Sequence, residues 1–290
     1  MPISKITLVG CGLIGGSLGS ALRTSGFRGQ IVGNDAPEVL EKALRLGAID
    51  LAAPVIENAV EDADVIVLAT PISSILALLP LVAEYAPAHA LITDTGSTKV
   101  EIVAHAKGVF GASTHQRFLP GHPLSGKERS GIEQADPYLF HGAKWVFTPI
   151  QPGVAVGSHD GWIELIGKIG ASPVCMTPEE HDLMLAFTSH LPQLLSIALA
   201  NSVLGKLGLD GDQGGYNGIP CGGGLRDMTR LAKSDPLVWR DIFATNGDNI
   251  GRALEEVQRQ IGSLSSALAE RQLERIQQSF RSAARIAKLA

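Results

Sequence analysis

Residues 5–35 read KITLVGCGLIGGSLGSALRTSGFRGQIVGND, and this stretch decides the fold of the first half of the chain. The apolar run at residues 6–9 predicts a buried strand. It leads into three glycines with GxGxxG spacing, Gly10, Gly12 and Gly15, and then into residues with helical periodicity. A strand, a glycine-rich turn and a helix in this order are typical of dinucleotide-binding domains.

Each glycine of this motif has a separate physical task. Gly10 permits the tight turn, Gly12 leaves room for a pyrophosphate, and Gly15 lets the helix pack closely against the strand. The helix N-terminus at Leu13 and Ile14 offers N–H groups and a partial positive charge to the phosphates. We therefore expect these five residues to bind the cofactor.

An acidic residue follows at the place where such domains bind the adenosine ribose. Asp35 comes twenty residues after Gly15, at the end of a second apolar run. A carboxylate there binds both ribose hydroxyls and repels a 2′-phosphate, which favours NAD over NADP. NADP remains an alternative, because the small or uncharged neighbours of Asp35 (Asn34 and Ala36) would tolerate this cofactor. The competing interpretation is a glycine-rich turn with an unrelated surface aspartate.

Further strand-like runs alternate with helical segments as far as residue 148. Residues 64–69, DVIVLA, form a nearly continuous apolar run that ends at Thr70 and Pro71, and similar runs occupy residues 90–93 and 145–148. This alternation predicts an α/β fold with a Rossmann-type, doubly wound parallel sheet. Ligands of such sheets bind at the carboxyl ends of the strands, so Thr70 and Pro71 are expected cofactor contacts.

The pattern becomes helical near residue 175. Helices are expected at residues 179–207, 236–268 and 270–288, and Asp235 before Pro236 is a favourable helix start. We predict two domains: an NAD-binding Rossmann-like domain at residues 1–174 and an all-α domain for substrate binding and dimerisation at residues 175–290.

Composition narrows the class of protein. A net charge of −5 over 290 residues argues against a general nucleic-acid binder. Three widely spaced cysteines, Cys11, Cys175 and Cys221, predict neither a disulfide framework nor a zinc site, and they fit a reducing cytoplasm. The N-terminus lacks the pattern of a signal peptide, and no apolar run is expected to span a membrane.

Two of the eight histidines have surroundings that suit catalysis. His122 lies in PGHPLSGKERSG, residues 120–131, where Pro123 restricts its backbone. His190 lies in SHLPQ, where Pro192 is expected to kink the helix at a pocket. For both, the alternative is a purely structural histidine. A structural role is expected for the others: His89, His105, His115, His141, His159 and His181.

A basic segment completes the candidate site. Arg226 and Arg230 are four residues apart and are expected to share a helix face, where arginine would bind a carboxylate in a bidentate manner. The alternative is a solvated basic face. Three glycines, residues 222–224, precede the segment and indicate that the backbone bends sharply there, which argues against a simple solvated helix face.

These motifs occur together in a recognisable order. GCGLIGGSLGSALR (10–23), TDTGSTK (93–99), GHPLSGKERSG (121–131), TSHLPQLLSIALA (188–200) and GGGLRDMTRLAKSDPLVWRDIF (222–243) resemble the prephenate/arogenate dehydrogenase family of tyrosine biosynthesis over nearly the whole chain. The resemblance implies NAD-dependent oxidative decarboxylation of prephenate to 4-hydroxyphenylpyruvate, of arogenate to tyrosine, or of both. It also implies a homodimer formed through the helical domain. The reaction requires no metal, which agrees with the absence of a ligand cluster from the sequence, and the charge predicts no nucleic-acid partner.

The resemblance also implies roles for individual residues. His122 is the catalytic histidine, Ser97 binds the same substrate hydroxyl and orients that histidine, and Arg230 binds the side-chain carboxylate. His190 lines the pocket. The remaining substrate-site positions are Glu128, Gln193, Asp227 and Trp239. Gln193 replaces the second histidine of the family's HLPH motif, which bears on the choice between prephenate and arogenate.

Two other functions remain open from the sequence alone. One is a different dehydrogenase with a Rossmann and a helical domain, of the β-hydroxyacid dehydrogenase or imine reductase type. Those enzymes place a lysine or aspartate on the helical domain, and Lys206 and Lys233 are available. The other is a non-catalytic NAD(H)-responsive binding protein, which would need no base such as His122.

Overall fold

The computed structural model describes residues 3–127, 129–150, 157–207 and 222–286. Six strands form the first sheet: β1 (Lys5–Val9), β2 (Gln30–Asn34), β3 (Leu51–Ala52), β4 (Val65–Leu68), β5 (Leu91–Asp94) and β6 (Phe118–Leu119). All are parallel, in the order β3-β2-β1-β4-β5-β6. The predicted doubly wound parallel sheet is confirmed.

Helices connect these strands: α1 (Leu13–Thr24), α2 (Pro37–Arg45), α3 (Ile56–Val60), α4 (Ile72–Tyr85), α5 (Val100–Phe110) and α6 (Thr114–Arg117). The strand order reverses at β1, which pairs with β2 on one side and β4 on the other. Val9, at the end of β1, is in register with Asn34 and Leu68. The glycine motif therefore follows the central strand at the switch point, where open α/β sheets bind ligands.

A second, smaller sheet follows, and the sequence did not indicate it. It contains β7 (Gly121–Pro123), β8 (Lys144–Phe147) and β9 (Ser172–Cys175), with α7 (Gly157–Lys168) between the last two. β8 runs antiparallel to β7 and parallel to β9. Assigning residues 145–148 to the large parallel sheet was therefore wrong, because an apolar run indicates burial and not a pairing partner. His122 lies within a strand, paired with Val146.

Helices form the last part of the chain: α8 (Pro178–Leu185), α9 (Leu191–Leu207), α10 (Gly223–Met228), α11 (Pro236–Thr245), α12 (Gly247–Ala269) and α13 (Leu273–Ala283). A π-helical turn, Ala186–His190, joins α8 to α9. This turn directly precedes Pro192, which lies inside the continuous helical run of residues 178–206. The local change from the α-helical pattern is consistent with a proline that has no N–H to donate to it, and the expected kink stays a prediction. The boundary between residues 174 and 175 stays a prediction.

Two details of the helical region differ from the sequence prediction. Residues 236–268 form two helices, because α11 ends at Asn246, whose backbone leaves the helical region. Arg226 and Arg230 do not share a helix face, because α10 ends at Met228 and Arg230 begins a 3₁₀ turn. The predicted helix start is confirmed: the Asp235 carboxylate accepts a hydrogen bond of 2.9 Å from the backbone N–H of Leu237.

The helical run Pro178–Lys206 corrects the expectation that no apolar run in the chain is long enough to span a membrane. It has 29 residues, and its most apolar window has a mean hydropathy of 1.5, so by length and composition it is able to cross a membrane. The core helix of a soluble protein meets the same criterion. This run carries buried His181, Asp182 and His190, which hydrogen-bond to the rest of the chain.

Polar and apolar contacts join the helical region to the first half. Asp182 of α8 accepts hydrogen bonds from the backbone N–H groups of Lys99 (2.7 Å) and Val100 (2.9 Å), at the start of α5. Asp241 of α11 accepts one from the N–H of Ser73 (2.9 Å), at the start of α4. One apolar core contains side chains from both regions, among them Ile75, Leu79, Leu191, Ile242 and Ile250.

Candidate functional site

The glycine motif has the geometry of a phosphate cradle. Gly10 has φ of +94°, which side chains rarely adopt. A Cβ on Gly15 would lie 1.9 Å from the carbonyl oxygen of Gly10, so helix and turn are in close contact. A Cβ on Gly12 would have no atom within 4 Å. The first turn of α1 has neither a capping side chain nor an acidic residue, which suits an anionic ligand.

Asp35 lies immediately after β2 and touches this motif. Its Oδ2 accepts a hydrogen bond from the N–H of Cys11, and its Oδ1 accepts one from the N–H of Ala36, both at 2.7 Å. Burial and the nearby Asp35 charge raise the pKa of the Cys11 thiol to about 12, so the thiol stays protonated. The Asp35 carboxylate therefore stabilises the glycine-rich turn, and it lies where the adenosine ribose of the cofactor is expected to bind.

A cleft of about 420 Å³ extends from this motif to His122. Its lining includes the predicted cofactor residues Gly12, Leu13, Ile14, Thr70 and Pro71. It also includes Ser97, His122, His190 and Trp239. The hydroxyl of Thr70 is buried and has no hydrogen-bond partner among the described residues, so it is available to a polar ligand. The open side of Gly12, the uncapped α1 and this hydroxyl together fit a dinucleotide.

A second cavity, of about 1210 Å³, adjoins the first. Its lining includes four basic side chains: Lys127, Arg129, Arg230 and Lys233. Lys127 forms an ion pair of 3.1 Å with Asp136. His122 lines both cavities. A ligand in the cleft and an anionic ligand in the basic cavity would thus meet at the same imidazole.

His122 belongs to a buried chain of hydrogen bonds. Its Nδ1 lies 2.8 Å from Nε2 of His181, and Nδ1 of His181 lies 2.7 Å from Oδ1 of Asp182. His181 and Asp182 are buried, and His122 is 8% exposed. Burial lowers the pKa of His122 well below 6.5, and the neighbouring basic groups His181, Lys99 and His190 also disfavour its protonated form. His122 is therefore a neutral imidazole, ready to accept a proton.

A buried ion pair supports the strand that carries His122. The ammonium group of Lys99 contacts the Asp94 carboxylate and donates a 2.8 Å hydrogen bond to the carbonyl oxygen of Gly121. Burial lowers the pKa of Lys99, and the Asp94 charge opposes that shift. Lys99 is thus a fixed donor that holds β7, next to His122, against the end of β5.

His190 lines the same cleft as His122. Its ring makes an edge contact with Trp239, with centroids 6.0 Å apart, and its Nδ1 lies 3.2 Å from the amide nitrogen of Asn246. Burial lowers the pKa of His190 to about 4. His190 and Trp239 thus line the cleft as the resemblance implied, and their roles toward the substrate stay predictions.

Other predicted substrate residues have different positions. Ser97 lines the cleft, but the side chain of His122 hydrogen-bonds to His181 and not to Ser97. Asp227 is exposed and lines neither cavity. Glu128 lies outside the described residues.

Gln193 is 2% exposed and lines neither cavity. Its amide donates a hydrogen bond of 2.9 Å to the carbonyl oxygen of Leu231, beside Arg230, and lies 3.4 Å from the Ser234 hydroxyl. Gln193 therefore anchors the segment that carries Arg230. Of the alternative lysines, Lys206 is exposed outside both cavities, and Lys233 lines the basic one.

The sequence prediction missed His181 and Asp182. His181 was assigned a structural role, and Asp182 was not considered. The only local signal is a His-Asp pair in the first turns of a helix, which is common in proteins. Nothing in the sequence shows that α8 packs against the start of α5, which brings this pair to His122.

Comparisons with known proteins agree with this geometry. Residues 18–156 match the family described as prephenate dehydrogenase, nucleotide-binding domain, and residues 177–282 match prephenate dehydrogenase, dimerization domain. A prephenate dehydrogenase of Bacillus subtilis is 33% identical over 282 residues, which cover 96% of this chain and 74% of that protein.

Solved structures give the same result over nearly the whole chain. The prephenate dehydrogenase of A. aeolicus, in complex with hydroxyphenyl propionate and NAD⁺, is 30% identical with a TM-score of 0.86, and the match covers 98% of this chain and 96% of that one. An arogenate dehydrogenase of Synechocystis is 27% identical with a TM-score of 0.75, and the match covers 92% and 93%.

Proposed function

The chain belongs to the prephenate dehydrogenase family, and from this premise we propose that it oxidises and decarboxylates prephenate, arogenate or both, with NAD as hydride acceptor. The products are 4-hydroxyphenylpyruvate and tyrosine, respectively. One observation carries the proposal: His122 lines both the cleft with the glycine motif and the adjoining basic cavity.

His122 serves as the proton acceptor. The substrate is a cyclohexadienol, and its hydroxyl proton passes to the imidazole while the carbinol carbon gives up hydride. The cofactor supplies the nicotinamide that accepts this hydride. The ring carboxylate then leaves as carbon dioxide, and its bonding electrons complete the aromatic ring. Because the pKa of His122 is lowered, the imidazole is neutral and able to act at neutral pH.

The basic cavity binds the substrate carboxylates. Arg230 lines this cavity on the side of the helical region, and Lys127 and Arg129 line it from the segment after β7. The planar guanidinium of Arg230 suits bidentate contact with the side-chain carboxylate. His190, Trp239 and Ser97 then surround the ring in the cleft.

NAD is the proposed cofactor because Asp35 stands where a 2′-phosphate would otherwise lie. We further propose a homodimer formed through the helical region, where Ile261, Leu264, Leu268 and Phe280 are exposed apolar side chains. A cytoplasmic location suits Cys11 and Cys175, which are free thiols; Cys221 lies outside the described residues.

The decisive test is a substrate and cofactor panel. The purified protein is mixed with prephenate or arogenate and with NAD or NADP, and kcat/KM is measured from nicotinamide absorbance together with released carbon dioxide. We expect one carbon dioxide per NADH. Reduction of neither cofactor with either substrate would contradict the proposal.

Two variants test the residue roles. His122→Asn should keep NAD binding and lower kcat by about 10²–10⁴-fold, the usual contribution of a positioned base. Arg230→Lys keeps the charge but loses the planar fork, so it should mainly raise the KM for substrate. An unchanged kcat for His122→Asn would remove His122 from the chemistry.

A further inference from the structure

We propose that His181, held by Asp182, is a positioning residue that keeps the Nδ1 of His122 protonated, so that Nε2 of His122 is the nitrogen that accepts the substrate proton. This inference rests on the proposed function of His122. It adds a residue pair from the helical region to the machinery of a site whose base lies on β7.

The direction of the hydrogen-bond chain follows from Asp182. Oδ1 accepts the backbone N–H of Lys99, and Oδ2 accepts the backbone N–H of Val100. A backbone N–H can only donate, so both oxygens act as acceptors. Nδ1 of His181, 2.7 Å from Oδ1, must then carry the hydrogen of that contact.

The same logic passes from His181 to His122. A neutral imidazole with hydrogen on Nδ1 has an acceptor at Nε2. That Nε2 lies 2.8 Å from Nδ1 of His122, which must therefore be the donor. The remaining nitrogen of His122, Nε2, is left with its lone pair, the form that a proton acceptor requires.

The groups around His122 and His181 keep both rings neutral and leave, in the part of the chain that the structure describes, a single hydrogen-bond partner for Nδ1 of His122. Burial lowers the pKa of His181 below 6.5, although Asp182 opposes that shift. The other charged or titratable groups near the two rings are Lys99, Asp94 and His190. Lys99 is paired with Asp94 and the Gly121 carbonyl, and His190 with Asn246. Among the described residues, His181 is the hydrogen-bond partner of Nδ1 of His122, so His181 selects the tautomer.

The first experiment measures the tautomer directly. Side-chain ¹⁵N chemical shifts of the ligand-free wild-type protein are recorded at pH 7.5, and His122 is assigned by the signal lost in His122→Asn. We expect hydrogen on Nδ1 of His122. Hydrogen on Nε2 in the wild type would overturn the inference. This measurement needs no turnover, so it is independent of whether the proposed reaction occurs.

The second experiment separates positioning from packing. In His181→Gln the longer amide retains an acceptor that reaches His122, whereas His181→Asn retains only the contact to Asp182. We expect kcat to fall about 10- to 100-fold in the Asn variant, by analogy with the loss of hydrogen-bond partners of metal-bound histidines. The Gln variant should stay within about fivefold of wild type, and KM for NAD should change little in both.

His159→Gln is the matched control, because His159 is also a buried histidine with a hydrogen bond, to the carbonyl oxygen of Gln116. It should leave kcat within about twofold. Equal kcat values for the Gln and Asn variants at position 181 would overturn the inference. If the variants fold poorly, the wild-type tautomer still decides the question. The expected tautomer without NAD reduction would refute the proposed function alone.

Discussion

The amide nitrogen of Asn246 lies 3.2 Å from Nδ1 of His190. The same nitrogen donates to the carbonyl oxygen of Asp182 at 2.8 Å, and the amide oxygen accepts from Asn249 at 2.9 Å, so the orientation of the amide is fixed. Nδ1 of His190 is thus an acceptor, and its neutral ring carries hydrogen on Nε2. Both rings line one cleft, and they differ in the nitrogen that carries the hydrogen: Nε2 in His190 and, as we propose, Nδ1 in His122.

The lowered pKa of His190 predicts that stability depends on pH. Its pKa is about 4 in the folded protein and about 6.5 in an unfolded chain. Between these values the unfolded state binds more protons, so stability falls as pH falls below 6.5. The loss is about 1.4 kcal/mol per pH unit, or roughly 3 kcal/mol for His190 alone.

Urea unfolding at pH 7 and pH 4.5 measures this dependence. His122, His159 and His181 also have lowered pKa values and add to the loss. His190→Gln should show a shallower pH dependence than wild type. The same slope in both proteins would show that His190 titrates normally in the folded state.

Gly12 and Gly15 are predicted to respond differently to the same substitution. Gly15→Ala places a Cβ 1.9 Å from a backbone oxygen, so it should destabilise the fold and abolish NAD binding. Gly12→Ala places its Cβ in open space, so the fold should survive while the affinity for NAD falls at least tenfold. Thermal unfolding and NAD titration distinguish the two. Equal NAD affinity in wild type and Gly12→Ala would place the pyrophosphate elsewhere.

Asp35→Ser should change the cofactor preference. Removing the carboxylate removes its repulsion of a 2′-phosphate, so the ratio of kcat/KM for NADP to that for NAD should rise about tenfold or more. The variant also loses the acceptor for the N–H of Cys11, so KM for NAD should rise. Steady-state kinetics with both cofactors are the measurement, and an unchanged ratio would contradict the role of Asp35.

Gln193 and Ser196 of α9 are predicted to control substrate binding through the segment that carries Arg230. Gln193 donates to the Leu231 carbonyl, and the Ser196 hydroxyl accepts the N–H of Ala232 at 3.0 Å. Gln193→Ala and Ser196→Ala should each raise KM for substrate several-fold, with a smaller change in kcat. Ser202→Ala, on the exposed part of α9, is the matched control. An equal effect of all three would indicate a general loss of stability.

Asp241 is predicted to stabilise the fold from the helical region. It accepts a hydrogen bond from Ser73 at the start of α4, so Asp241→Ala should lower the free energy of unfolding by about 1–2 kcal/mol, as for a lost helix cap. Asp248→Ala, an exposed acidic residue in the first turn of α12, should cost less than about 0.5 kcal/mol. Denaturant unfolding of both variants tests this difference.

The sequence predicted the parts of the fold that depend on local patterns. The parallel sheet follows from buried runs and the glycine motif, and the Asp235 cap follows from two adjacent residues. The pairing of β7 with β8, the break at Asn246 and the separation of Arg226 from Arg230 depend on tertiary packing, so periodicity did not indicate them. His181 shows the same limit at the site, because its importance depends on a neighbour 59 positions away.

The hydrogen bonds between the Rossmann-type region and the helical region also limit how far the two regions can move relative to each other. Asp182 and Asp241 each satisfy the N-terminus of a helix in the other half, and the hydroxyls of Thr98 and Thr245 lie 2.7 Å apart. A hinge rotation would strip these helix ends of their acceptors and expose the shared apolar core. Turnover should therefore proceed without large opening and closing, and structures with and without cofactor should superpose as one rigid body.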